Sequence, residues 1–259
     1  MVVNDPSRVV SDRQNEAGAP RAARRATTRT RATFCVALSI CALTACGQRD
    51  ATPGAQPAAS APAAALATNL KPLPAHERDA PKLTRKTAVR MQTTAGDVMI
   101  EVYPDAAPNA AKRFVELVSS GFYDATPISR VVPNFVAQFG VNWRAPHNAW
   151  KEKTFDDDPT YFALERGTLA FAKAGLNTNS TQVFINYKQN NQLAEPDYNF
   201  TVFGDVVGGM DVVDKFMRVG DPRYGLDQDR LWRDGGAYLD SLPEKPTMIQ
   251  HAMVVDSAR

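Results

Sequence analysis

From residue 87 onward the apolar residues fall into short runs of period two, interrupted by two stretches of helical spacing. Val89 to Thr93 and Val98 to Tyr103 flank Ala95-Gly96-Asp97, and Val98, Ile100 and Val102 alternate onto one face. This pattern predicts a β-hairpin with a tight glycine-containing turn. Pro108 suits a first helical turn, Phe114, Leu117 and Val118 recur at helical spacing, and Gly121 offers a left-handed stop. An amphipathic helix therefore follows the hairpin. Further β-rich runs cover 128–132, 135–140, 168–171, 182–186 and 200–206, a second helix carries Val212, Val213, Phe216 and Met217 within 210–218, and a last strand covers 248–255. About eight short strands with two helices predict a mainly antiparallel β-barrel, whose closure removes exposed sheet edges.

Upstream the pattern changes. An Arg-rich stretch leads into an uncharged apolar run, Phe34 to Ala45, of about twelve residues, too short to span a bilayer core. It reads as the core of a signal peptide. The run ends in Leu43-Thr44-Ala45-Cys46-Gly47, which resembles the lipobox of bacterial lipoproteins. That resemblance implies cleavage before Cys46 and diacylation of its thiol, and two acyl chains at about 0.8 kcal/mol per buried methylene anchor a protein stably. Gly47 in place of Asp resembles lipoproteins sorted to an outer membrane, so the expected location is the cell envelope, lipid-anchored, with the domain in the periplasm and the outer membrane favoured over the inner. The basic region is long for a signal peptide, and a start downstream of Met1 is expected. Cys35 and Cys41 would leave with the signal, which leaves no pair for a disulfide. Residues 46–85 are rich in Ala, Pro and Gln and read as a flexible tether. The expected organisation is a signal peptide at 1–45, lipidated Cys46 plus tether at 46–85, and a folded domain at 86–259, long enough to bury one core.

Charge narrows the function. The chain has 30 Lys and Arg against 28 Asp and Glu, but seven of the arginines lie within residues 1–33 beside only three acids. The domain is therefore close to neutral and slightly acidic, which gives no reason to expect nucleic acid as a partner. There is no GxGxxG, P-loop or GxSxG motif, and His76, His147 and His251 have no metal-ligand spacing. A dinucleotide site, a hydrolase triad and a zinc site are poorly supported. No cofactor or metal is implied, and a monomer is the default expectation.

Two segments stand out. In Ile128-Ser129-Arg130-Val131-Val132-Pro133-Asn134-Phe135-Val136-Ala137-Gln138-Phe139-Gly140, Arg130 and Gln138 interrupt apolar β-sequence; in Gly167 to Ile185 a polar turn, Asn177-Thr178-Asn179, separates two strands. On residue chemistry alone Arg130 could equally be a solvent-facing or ion-paired strand residue, and Phe135 and Phe184 read as core. The two segments, however, together with Phe114-Val115-Glu116-Leu117, Gly121-Phe122-Tyr123-Asp124 and Thr201-Val202-Phe203-Gly204, resemble the cyclophilin family of peptidyl-prolyl cis/trans isomerases in their order along 87–256. The resemblance implies a cyclophilin-like closed eight-stranded barrel with two capping helices, and no cofactor. It implies that Arg130 is the catalytic arginine, supported by Gln138. It also implies that Phe135 and Val136 floor a proline pocket, that Ala172, Lys173 and Ala174 pair with the bound peptide, and that Gln182, Phe184, Leu193 and Phe200 form further walls.

Several positions depart from the family pattern: Val136 replaces Met, Lys173 replaces Asn, Phe139 replaces Gly, Gln192 falls where Trp is common and Phe200 replaces a frequent His. Lys173 is expected to act through its backbone, so its side chain should matter little. Phe200 keeps an aromatic wall without a polar tip, and loss of an indole at Gln192 predicts weak cyclosporin binding. The implied activity is rotation of X-Pro bonds in proline-containing exported polypeptides, a reaction with an uncatalysed barrier of about 18–20 kcal/mol and no covalent chemistry. The alternative is an envelope chaperone that binds peptides in the same groove with little turnover. A weaker one is a structural lipoprotein whose barrel has no working site.

Overall fold

The computed structural model describes residues 70–255, so the expected signal peptide, Cys46 and the tether as far as residue 69 lie outside the described residues. The strands are β1 (Thr87–Thr93), β2 (Gly96–Val102), β3 (Thr126–Val132), β4 (Val136–Phe139), β5 (Thr168–Phe171), β6 (Val183–Asn186), β7 (Val202–Gly208) and β8 (Met248–Val255). The helices are α1 (Pro108–Ser119), α2 (Met210–Val213), α3 (Gln228–Asp234) and α4 (Gly236–Ser241). The strands close into the expected antiparallel barrel; their order in it is β1-β2-β7-β5-β6-β4-β3-β8.

Period two divides each strand between two apolar masses. Val89, Met91, Val98, Ile100, Ala137, Phe139, Leu169, Phe171, Val183 and Ile185 turn inward onto one core shared with Phe114 and Leu117 of α1. The ring of Phe114 lies 5.1 Å from Phe203 and 5.5 Å from Tyr123, which ties α1 to the barrel. Phe139, where the family pattern has Gly, fills this core and is no part of a groove. Their strand neighbours Val136, Ala170 and Phe184 face the other way and form a second cluster outside the barrel.

Helix α1 has Ala107 at its N-cap position and no side-chain cap of its own. The carboxylate of Asp158 supplies one from a distant loop, accepting from the N–H groups of Asn109 at 3.1 Å and Ala110 at 2.9 Å. This satisfies two of the helix's orphan donors and sets a negative charge at the positive end of its dipole.

Two boundaries differ from the sequence expectation. The second helix stops at Val213, after which Lys215 and Phe216 donate to carbonyls only three residues back. Residues 70–85, expected to belong to the tether, lie along the barrel. Leu73 N–H donates to Tyr161 O and Ala163 N–H to Lys71 O, both at 2.8 Å, while Leu70, Ala80 and Leu83 join the outer apolar cluster. Asp105 then accepts from the backbone of Thr84 and of Arg85, each at 2.8 Å, and from Arg85 Nε at 2.7 Å. These bonds hold the Asp105 carboxyl well below the usual carboxylate range. The unpredicted helices α3 and α4 build a small core of Val141, Val219, Leu226, Leu231, Tyr238 and Leu239, with Trp143 packed against it. Asp227 caps α3 through Arg230 N–H at 3.0 Å.

Candidate active site

The site is a row of cross-strand neighbours on the barrel's outer face. Arg130 on β3 stands opposite Gln138 on β4, Gln138 opposite Phe184 on β6, and Phe184 opposite Ala170 on β5. Directly opposed residues lie about 4.5–5.5 Å apart, so antiparallel register alone brings a cation, an amide and an aromatic ring into one line. The β3–β4 turn completes it. Asn134 takes the left-handed φ of 58° that the turn requires and that Asn tolerates, and Phe135 follows half-buried beside Arg130, whose guanidinium carbon is 5.6 Å from its ring centre. The Phe135 carbonyl accepts from Tyr187 N–H at 2.9 Å and from Asn190 Nδ2 at 3.1 Å, which fixes the turn on the barrel.

The apolar part of the site gathers the residues expected of a proline pocket. Val136, Ala170 and Phe184 are buried, and Phe135, Ala172, Leu193 and Phe200 pack on them. The Phe184 and Phe200 rings meet edge to face at 5.5 Å. Leu193 lies in a short 3-10 turn, Asn191–Ala194, that Phe200 N–H bonds at 2.9 Å. Gln192 in the same turn is exposed.

The polar part runs the other way from Gln138. Arg130 donates through one terminal nitrogen to Gln138 Oε1 at 3.4 Å, Gln138 Nε2 donates to Gln182 Oε1 at 2.8 Å, and Gln182 Nε2 donates to Gln228 Oε1 at 3.0 Å. Arg130 Nε donates to the Arg223 carbonyl at 2.8 Å. That carbonyl is held in a turn whose Asp221 accepts from Arg223 N–H and Tyr224 N–H, each at 2.8 Å. Burial, and next the charge of Arg223, push the Arg130 guanidinium below its ordinary pKa, against an opposing contribution from Tyr224. A guanidinium stays charged through such a shift. Among the described residues no carboxylate makes an ion pair with Arg130.

At the other end of the groove the sequence expectation for Lys173 is corrected. Its side chain is 2% exposed and pairs at 2.6 Å with Asp157, itself 7% exposed. Nζ also donates to the Asn199 carbonyl at 2.9 Å and lies 5.3 Å from the Phe200 ring centre. Burial pushes the lysine pKa down while Asp157 pulls it up. Burial likewise pushes Asp157 up, but the bond from Lys173, the Asn177 N–H and Asn179 Nδ2 outweigh it, and its pKa lies below the ordinary value. Asp157 is thus the hub of the Asn177-Thr178-Asn179 motif, taking bonds of 3.1 Å from Asn177 N–H and 2.6 Å from Asn179. Ala174 N–H turns inward to Thr178 Oγ1 at 3.1 Å, whereas no hydrogen bond among the described residues engages the Lys173 N–H or C=O. The Lys173 main chain therefore presents an open edge beside the apolar pocket.

The site thus combines an apolar floor, a fixed guanidinium and an open strand edge. A family model described as cyclophilin type peptidyl-prolyl cis-trans isomerase matches residues 88–234. The chain belongs to this family. A peptidyl-prolyl cis-trans isomerase of Acinetobacter baylyi is 39% identical over 149 residues, which cover 55% of this chain and 78% of that one. Peptidyl-prolyl cis-trans isomerase A of Dickeya dadantii is 31% identical over 176 residues, covering 66% of this chain and 86% of its own. The crystal structure of a cyclophilin type isomerase from Cryptosporidium parvum shares the fold, with a TM-score of 0.52 at 22% identity over 67% of this chain and 100% of that one. The chain is a cyclophilin-type enzyme, and rotation of X-Pro bonds is its reaction.

The sequence signals led to Arg130, Gln138 and the apolar walls, which the fold brings together. They missed Asp157, the Arg223 carbonyl, Asn190 and Gln228. Of these only Asp157, the middle of three consecutive aspartates in a loop, gave any hint.

Proposed function

We propose that this cyclophilin acts on proline-containing segments of exported polypeptides at a membrane to which Cys46 anchors it, with Arg130 as the catalytic group. The carrying observation is the Arg130–Gln138–Phe184 row, a donor-only cation fixed at the edge of an apolar floor. An extended peptide would pair with the Lys173 edge and set its proline ring on Phe135, Val136 and Phe184, with Leu193 and Phe200 closing the far side. Rotation breaks amide conjugation and leaves a lone pair on the prolyl nitrogen. A guanidinium nitrogen can donate to that lone pair as it emerges, an interaction the planar ground state lacks and which therefore lowers the barrier. The low-dielectric floor strengthens it, and each 1.36 kcal/mol of such preference gives about tenfold in rate. Arg130 transfers no proton, since its pKa remains far above neutrality.

The test is an X-Pro isomerisation assay on the full-length protein, comparing the parent with Arg130→Ala and Phe135→Ala, with folding followed by circular dichroism. The expected result is a folded Arg130→Ala that loses about a hundredfold or more in kcat/KM, the scale on which a removed transition-state donor acts. A folded Arg130→Ala that isomerises like the parent overturns the assignment. Tight peptide binding by a parent without turnover supports the chaperone alternative instead.

A further inference from the structure

We infer that Gln228, at the start of α3, is a positioning residue for Arg130, and that the α3–α4 segment serves the active site through it. The inference rests on Arg130 being the catalytic group. A guanidinium has donors and no acceptor, so the Gln138 amide must turn its oxygen to Arg130 and its nitrogen away. That nitrogen meets Gln182 Oε1 at 2.8 Å, which turns the Gln182 nitrogen outward onto Gln228 Oε1 at 3.0 Å. Each amide's orientation is dictated by the one before it, and the terminal acceptor decides whether the chain is satisfied. Without Gln228 the Gln182 nitrogen loses its acceptor; the two amides can then reverse, and Gln138 presents a donor to a donor. Bonds in series polarise one another, so an acceptor two links away also strengthens the Gln138 oxygen that faces Arg130.

The stretch that leads into α3 touches Arg130 and its neighbour by a second, independent route. Arg223 O takes Arg130 Nε at 2.8 Å, and Leu226 N–H donates to the Ser129 carbonyl at 2.8 Å, immediately before Arg130. Between them the 221–228 stretch holds one nitrogen of the guanidinium directly and orients the amide that receives another. The contact to Gln138, at 3.4 Å, is the longest in the chain. It is the link whose geometry has most to gain from a correctly aligned amide, since catalytic hydrogen bonds commonly tighten once substrate is bound. Helix α3 is itself fixed by the Asp227 cap and by Leu231 in the small core, so its first residue is a firm support.

The experiment measures kcat and KM for X-Pro isomerisation by the full-length protein carrying Gln228→Ala, Gln228→Lys or Gln228→Glu, with Arg130→Ala as reference. Gln228→Ala removes the acceptor, Gln228→Lys replaces it with a donor, and Gln228→Glu restores an acceptor that also suits a helix's first turn. The expected result is a fall of about three- to tenfold in kcat for the Ala and Lys variants, KM within about twofold of the parent, and recovery of most of that loss in the Glu variant. The side-chain amide resonances of Gln138, two links away, should shift in Gln228→Ala while melting temperatures stay close together. Ala, Lys and Glu variants that all turn over like the parent, beside an inactive Arg130→Ala, overturn the relay and leave the role of Arg130 standing. Equal losses in all three, tracking a lowered melting temperature, reduce Gln228 to a structural residue and overturn the inference as well. An active Arg130→Ala removes the reading on which the inference rests.

Discussion

The two ends of the groove are held by opposite electrostatic means. At one end Arg130 is oriented by a backbone carbonyl and by neutral amides, and no carboxylate within the described residues compensates its charge. At the other end Lys173 and Asp157, both almost wholly buried, neutralise each other and lock three loops together. The difference fits the work proposed for each charge. A carboxylate on Arg130 would occupy the donors that the twisted amide needs, whereas a carbonyl and an amide fix its plane and leave charge available. A cation whose task is to hold a loop needs full compensation, because an unpaired buried charge costs several kcal/mol.

The largest expected effect comes from breaking the compensated end. Asp157→Asn leaves Lys173 buried without its counter-charge and should destabilise the fold by about 3–5 kcal/mol, read as a lowered midpoint in chemical denaturation. Pairing it with Lys173→Met removes the stranded charge and should recover most of that loss, which distinguishes pairing from simple packing. The pH dependence has a definite sign. The folded pKa of Asp157 is depressed, so its stabilisation is complete above the ordinary carboxylate range and is lost as pH falls through the folded value. The gap in melting temperature between parent and Asp157→Asn should therefore narrow on acidification from about pH 7 to pH 3. A gap that widens would show that Asp157 is not held ionised by the lysine.

At the uncompensated end charge alone should not suffice. Arg130→Lys keeps a cation but loses the planar fork that meets Arg223 O and Gln138 together, so kcat/KM should fall by about a hundredfold, nearly as far as for Arg130→Ala. Recovery to within about threefold of the parent would mean that a point charge does the work and the surrounding amides are incidental. A subtler intervention acts on the support. Gly225 has a φ of +75°, and a Cβ there would sit 2.3 Å from the Ser129 carbonyl oxygen and 2.8 Å from Arg130 Cβ. Gly225→Ala must push the 221–225 turn off β3, at about 1–3 kcal/mol of strain and with a loss in kcat that exceeds any change in peptide affinity. Equal losses in both would show that the turn supports the groove as a whole.

The barrel was legible from alternation, whereas the groove walls were legible only through the family resemblance, because Phe135 and Phe184 read as core on residue chemistry alone. In the structure Ala137 and Phe139 lie in the barrel interior and Val136 in the outer apolar cluster, so the strand pleat is what separates interior from groove. The supports were not legible, because each is a polar contact between loops remote in sequence. Asp158 caps a helix whose own N-cap residue is alanine, and Gln182 and Gln228, 46 residues apart, meet through one side-chain hydrogen bond. No periodicity marks such residues. The docking of residues 70–85 was hidden similarly: it rests on main-chain bonds, on the Asp105 carboxylate and on three small or medium apolar side chains, none of which a periodicity marks.

The smallest effect on turnover, and the sharpest test of how the far wall is built, concerns Gln192. Its neighbour Leu193 packs into the apolar cluster while Gln192 itself is exposed, so a larger side chain can be added there without displacing the wall. Gln192→Trp adds apolar area at the rim and should raise cyclosporin affinity by about tenfold, the equivalent of 1.4 kcal/mol and well within what a buried aromatic supplies. X-Pro isomerisation should stay within about twofold, because neither Arg130 nor the pocket floor is touched. Titration of both proteins with cyclosporin, followed by inhibition of turnover, compares the affinities, and uninhibited turnover of each protein checks the second half. Parent protein that already binds as tightly as the variant would mean that Leu193 and Phe200 alone complete the wall, and that the absent indole is no loss to this groove.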